Sequence, residues 1–221
     1  MAQAGADAHR RTPRLSPVGD MRPTVDVRAL VPSDVDGDAD LLARAMQDNP
    51  INVAVYGDDP VRRERATRRL FGTLLRTMTN QTPVVALDGD ALVGVAGIAP
   101  PGTCQPSGRQ RLRFVPGVLA AGPRTAARMG TWLNAWAARD PRELHTHFGP
   151  FAVDRRLQGR GVGTQVLQWY CRQADEAGLV AYLETDKAIN VTLYERHGFV
   201  VTADEDVLGV HCWYLCRPPR S

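Results

Sequence analysis

Apolar positions recur along this chain with two periods, and the switches between them outline the fold. Thr24–Leu30 (TVDVRAL) alternates apolar and polar residues, which suits a strand with one buried face. Pro32-Ser33-Asp34 then offers a turn, and Asp38–Gln47 reads as a helix that Asp38 caps. Val61–Met78 is a longer helical stretch; its apolar residues include Leu70, Leu74 and Leu75, and its arginine-rich face reads as solvated. Two strands follow, Pro83–Leu87 and Ala91–Ala99, and Asp88-Gly89-Asp90 between them is a hairpin signal. Pro100–Gly108 is a Pro/Gly loop. Arg111–Asp140 is the least patterned segment, with one helix from Arg124 to Arg139 on which Met129, Leu133 and Trp136 recur at helical spacing.

The second half is sharper. Leu144–Val153 is a strand interrupted by Gly149-Pro150, and Asp154–Gly161 is a basic loop. Val162–Ala177 is a helix with Val166, Leu167, Tyr170 and Ala174 inward. A strand at Leu179–Glu184 and a short helix at Asn190–His197 come next. Phe199–Thr202 and Val210–Leu215 complete the sheet, with Asp204–Asp206 in the turn between them. The order β-α-α-β-β-(α)-β-α-β-α-β-β, without internal repeats, predicts one α/β domain around a mixed sheet. Residues 1–23, rich in Ala, Gly, Pro and Arg, read as a disordered extension, and Met21 as an alternative start.

Composition narrows the function. The chain has 221 residues and a net charge of +3, which demands neither a nucleic-acid nor a membrane partner. All but one of its 27 basic residues are arginine, Lys187 being the exception. Cys104, Cys171, Cys212 and Cys216 show no C-x-x-C spacing, and no metal site is expected. Cys212 and Cys216 read as reduced thiols on one strand face, and the protein as cytoplasmic.

Phe151-Ala152-Val153-Asp154-Arg155-Arg156-Leu157-Gln158-Gly159-Arg160-Gly161-Val162-Gly163-Thr164 runs from a strand through a glycine-rich turn into a helix. Glycines let a ligand approach the backbone, and a helix N-terminus offers unpaired N–H groups and positive potential, which suits a phosphate or pyrophosphate. A Walker-type loop needs Gly-Lys-Ser/Thr, and the single lysine lies far downstream. A dinucleotide fingerprint puts its first glycine almost directly after the strand, whereas Asp154–Gln158 intervene here.

Gln158-x-x-Gly161-x-Gly163 after Val153-Asp154 resembles the GNAT superfamily of acetyl-CoA-dependent N-acetyltransferases. Tyr182-Leu183-Glu184-Thr185-Asp186, Asn190-Val191, Tyr194-Glu195-Arg196 and Gly198-Phe199 resemble that family's second motif. The close match spans roughly Leu144–Val200. The resemblance implies a single GNAT-like α/β domain over residues 24–221, with a mixed, mostly antiparallel sheet of about seven strands flanked by helices and splayed at its centre. It implies acetyl-CoA as cosubstrate, held by the main chain of Phe151, Ala152 and Val153 and by N–H groups of Gln158, Gly159, Arg160, Gly161, Val162, Gly163 and Thr164. Asn190 matches a position that contacts the pantetheine arm, with a helix N-cap as its alternative role.

By the same resemblance Tyr194 protonates the leaving thiolate after direct attack by a primary amine. Glu184, His145 and His147 are candidates for the base, the histidines because residues two apart share a strand face. The expected acceptor is a small-molecule amine, selected by Asp38–Met78 and Cys104–Asp140. Trp132 and Trp136 either wall that pocket or pack their helix on the body. A non-catalytic acetyl-CoA sensor and a protein-amine acetyltransferase are the alternatives, and a homodimer is compatible with either.

Overall fold

The computed structural model describes residues 23–77 and 81–220. Apart from Pro23, the expected N-terminal extension lies outside the described residues, as does Met78. Seven strands form one sheet: β1 (Asp26–Ala29), β2 (Val84–Asp88), β3 (Ala91–Ala99), β4 (His145–Val153), β5 (Val180–Thr185), β6 (Val200–Val207) and β7 (Val210–Arg217). Their spatial order is β1-β2-β3-β4-β5-β7-β6, and only β4 and β5 run parallel. The helices are α1 (Val35–Met46), α2 (Pro50–Tyr56), α3 (Pro60–Thr77), α4 (Gly108–Ala120), α5 (Pro123–Ala137), α6 (Val162–Glu176) and α7 (Ala188–Glu195). None of these is long and apolar enough to cross a membrane.

Strand alternation sorts side chains onto two faces. Phe148, Ala181, Leu183 and Leu215 meet Val166, Leu167, Tyr170 and Ala174 of α6, together with Tyr194 of α7. On the other face Tyr182, Cys212 and Tyr214 pack on α2 and α5, while Val95 and Ala152 pack on α1 and α3. Trp132 belongs to this second core and meets Trp136 edge-on at 5.2 Å, so the tryptophans pack their helix on the body.

Four local expectations are corrected. Asp38 does not cap α1: the helix starts earlier, after a 3-10 turn at Pro32–Asp34, in which Asp34 accepts from Val31 N–H and pairs with Arg28. Asp38 is instead fully buried, and burial lifts its carboxyl to about 7. Asp204–Asp206 lie inside β6, the edge strand, where charge suits an exposed edge. The turn is Leu208-Gly209, both at positive φ as a tight hairpin requires. α7 begins two residues early, which places Asn190 inside it and removes the N-cap role. Finally, α2 and α4 are helices where none was expected.

Candidate functional site

β4 and β5 pair only at His145↔Val180, Thr146↔Ala181 and His147↔Tyr182. Beyond that β4 stays bonded to β3 through Gly94↔Val153, Val95↔Ala152 and Ala96↔Phe151, but among the described residues has no strand partner on its other edge. The parting begins at a bulge, because Ala96 faces Phe151 and Ile98 faces Phe148, so Gly149 and Pro150 both stand opposite Gly97. A Cβ on Gly97 would lie 2.5 Å from the Gly149 carbonyl oxygen, so the bulge requires glycine there. Sequence reasoning found the Gly149-Pro150 break and missed Gly97, whose need arises from a neighbouring strand.

α6 begins beside the free edge. Asp154 accepts from Arg156 N–H at 2.9 Å, starting a 3-10 turn that leads to Gly159 (φ +77) and Gly161 (φ +88). Gln158 reaches back to the Val153 carbonyl at 3.2 Å, which ties the loop to the strand. Gly161 N-caps α6, and no side chain satisfies the N–H groups of its first turn, which holds Val162, Gly163 and Thr164. The loop arginines differ. Arg155 pairs with Asp48. Arg156 pairs with Asp154 at 2.8 Å, and that hydrogen bond holds the carboxyl at about 2. Arg160 is exposed and makes no ion pair among the described residues. The loop therefore sets the open N–H groups of a helix start beside one cation without an ion-pair partner among the described residues.

Glu184 lies on β5 two residues past Tyr182, the last to pair with β4, with its side chain almost buried. His147 Nε2 lies 2.7 Å from Glu184 Oε2, an ion-pair distance with the N–H off hydrogen-bonding line. Burial disfavours the imidazolium, yet the Glu184 charge and Cys104 outweigh it and lift His147 to about 10. Tyr194 approaches the same end of β5 from α7. Its hydroxyl makes no hydrogen bond to a described residue, and burial, then Glu184 and Asp186, raise its pKa. Asn190 donates to the Thr185 hydroxyl at 3.1 Å. Asp186 accepts from Ile51 N–H at 2.8 Å and thereby anchors α2 to the tip of β5, a link that sequence reasoning did not foresee.

Cys104 was also missed. Its Sγ lies 3.2 Å from His145 Nε2, and the hydrogen bonds of His145 and His147 outweigh burial to bring the thiol to about 7. Cys104, Asp140 and His147 bring donor atoms within 4.8 Å of one another, where sequence spacing had predicted no metal site. All four cysteines are free thiols.

The two segments expected to select the acceptor meet in a cleft of about 350 Å³ between α3, α4 and α5. Arg62, Arg65 and Arg69, one turn apart along α3, line it over Leu70, Phe114 and Met129, and no acidic residue does. These arginines make no ion pair among the described residues. The others on α3 are engaged: Arg63 is buried on the Gln47 and Gly57 carbonyls, Arg68 pairs with Asp40 and Glu64, and Arg76 with Asp36. The arginine face read as solvated thus divides into structural residues and a cleft wall. Tyr56 forms part of the cleft, and its buried hydroxyl has no hydrogen-bond partner among the described residues.

Comparison with known proteins agrees with this architecture. The family model described as the acetyltransferase (GNAT) family matches residues 50–199. The fold resembles that of a Corynebacterium glutamicum protein described as histone acetyltransferase HPA2 and related acetyltransferase, with TM-score 0.66 and 18% identity over 89% of this chain and 97% of that one. It also resembles arylalkylamine N-acetyltransferase 2 from Aedes aegypti, with TM-score 0.61 and 14% identity over 89% and 99%. A third relative is the N-acyl amino acid synthase FeeM from uncultured soil microbes, with TM-score 0.53 and 17% identity over 89% and 91%. At these identities the solved structures show a shared fold.

Proposed function

Because the chain belongs to the GNAT acetyltransferase family, we propose that it moves the acetyl group of acetyl-CoA to the primary amine of a small molecule. The observation that carries this reading is the parting of β4 from β5 at the Gly149-Pro150 bulge, with the uncapped start of α6 beside the free edge. The free edge of Phe151–Val153 offers main-chain groups to the pantetheine amides as an added strand does. The loop from Gln158 to Thr164 takes the pyrophosphate, with Arg160 as its free cation.

The chain's own groups balance the protons. Glu184, held by His147, accepts the proton that the attacking amine must lose. Tyr194 delivers a proton to the departing sulfur, and its raised pKa keeps the phenol protonated at neutral pH. Asn190 holds Thr185 and so fixes the turn between β5 and α7. The cleft beside α3 supports a small acceptor that carries an acidic group on an apolar body: a guanidinium matches a carboxylate with two parallel hydrogen bonds.

Calorimetric titration with acetyl-CoA, with NADPH as control, tests the cosubstrate. Micromolar binding of acetyl-CoA alone is expected, and thiol release then screens amines in pairs with and without a carboxylate. Absence of acetyl-CoA binding overturns the transferase reading. Equal kcat/KM within the pairs overturns the acidic acceptor and leaves the transfer intact.

A further inference from the structure

Cys104, Asp140, His145 and His147 converge beyond the two motif segments, at the end of the sheet where β4 begins. Cys104 comes from the loop after β3, Asp140 from the segment after α5, and the histidines from one face of β4. Cys104, Asp140 and His147 bring donor atoms within 4.8 Å of one another, and His145 Nε2 lies 3.2 Å from the Cys104 sulfur, outside that group of three.

The outer contacts matter as much as the convergence. His145 Nδ1 lies 2.9 Å from the Glu143 carbonyl oxygen, which can only accept, so Nδ1 carries the proton and Nε2 faces the sulfur with a lone pair. His147 Nε2 faces the Glu184 carboxylate at 2.7 Å, which leaves Nδ1 as the other nitrogen. Each ring is thus oriented by an oxygen on one nitrogen, the arrangement that supports metal-ligating histidines.

We propose that Cys104, Asp140 and His147 bind a divalent metal ion, with zinc the match for one thiolate, one carboxylate and one imidazole. His147 ligates through Nδ1 while its Nε2 faces the Glu184 carboxylate at 2.7 Å, and His145 stays a neighbour of the sulfur. Binding releases the Cys104 thiol proton to solvent, and thiolate plus carboxylate neutralise the dication. Three protein ligands hold the ion, with water in its fourth position. It pins the Cys104 loop and the end of α5 to β4, and so braces the segment that carries the cleft. The proposal is independent of acetyl transfer.

The test uses the untagged full chain, stripped with a chelator and titrated with Zn²⁺ or Co²⁺. About one equivalent is expected to bind, with a thiolate-to-cobalt charge-transfer band and a thermal midpoint that rises on adding Zn²⁺. Cys104→Ala removes the band and the rise, and Asp140→Asn, a surface change, weakens binding at least about tenfold. His211→Gln leaves both readouts unchanged; its imidazole sits with Asp204 and Asp206 in the competing cluster. Failure of the stripped chain to bind Zn²⁺ or Co²⁺ overturns the site. So does full binding by Cys104→Ala, or loss of binding in His211→Gln.

Discussion

Gly97→Ala isolates the bulge that opens the site. Gly97 does not have a positive φ, so alanine is allowed by the backbone and, in open space, would gain about 0.4–1 kcal/mol by restricting the unfolded chain. The added Cβ, however, would lie 2.5 Å from Gly149 O, 3.0 Å from Gly149 C and 3.0 Å from Pro150 Cδ. Backbone and a proline ring cannot swing aside, so β4 itself must move. Overpacking of this kind costs about 1–3 kcal/mol, which exceeds the gain, and the net effect is a loss of about 1–2 kcal/mol. For a chain of this size that lowers the melting midpoint by about 2–8 °C. The same shift displaces Phe151–Val153, so acetyl-CoA affinity falls with stability. Two other glycines calibrate the effect. At Gly94 the Cβ would meet Ala86 Cβ at 3.3 Å and Ala152 O at 3.4 Å; at Gly163 nothing comes closer than 3.5 Å. Differential scanning fluorimetry of the three alanine variants, each titrated with acetyl-CoA, should rank Gly97 as worst and Gly163 as mildest in melting point. A Gly97→Ala protein that melts with the wild type and binds acetyl-CoA equally well would refute the reasoning.

Three further outcomes follow from the same geometry. Tyr194→Phe should lower kcat by about a hundredfold or more while leaving acetyl-CoA affinity intact, and a normal rate removes Tyr194 from the mechanism. Gly161→Asp should abolish acetyl-CoA binding, because a carboxylate then stands at the α6 N-terminus; Gly161→Asn, which tolerates the +88° φ and adds no charge, should retain more, and equal loss in both assigns the effect to backbone strain. Asp175→Asn should destabilise by about 3 kcal/mol at pH 7, since the buried Arg217 then loses its counter-charge and one of its two 2.7 Å acceptor oxygens. The folded carboxyl is depressed to about 2 from an ordinary 3.8, so its stabilisation is complete above the ordinary value and disappears as pH falls towards 2. Urea melts of the two proteins should therefore converge at low pH, and a constant gap contradicts the assignment.

What the sequence disclosed depended on whether a requirement is local. The Asp88-Gly89-Asp90 hairpin and the inward row on α6 are set by neighbours along the chain, and both stand where pattern puts them. The loop from Gln158 to Thr164 was legible because backbone cradles leave their mark as glycines. α4 was not legible: it buries no residue, so its Leu112, Val115 and Leu119 point to solvent and give no amphipathic contrast. α2 is too short and too uniformly apolar for its period to show. Within the site, Glu184 and His147 could each be nominated, but their pairing arises because β4 and β5 are parallel neighbours, which no single segment encodes. Gly97 answers to Gly149 across a strand pair, and Cys104 and Asp140 reach the histidines from segments without any motif. Single-sequence reading therefore located the glycine-rich loop and the break in β4, which lie in one contiguous run, and left the cleft beside α3 obscure. That cleft is assembled from α3, α4 and α5 with Tyr56 of α2, and its wall of arginines exists only once those pieces are packed together.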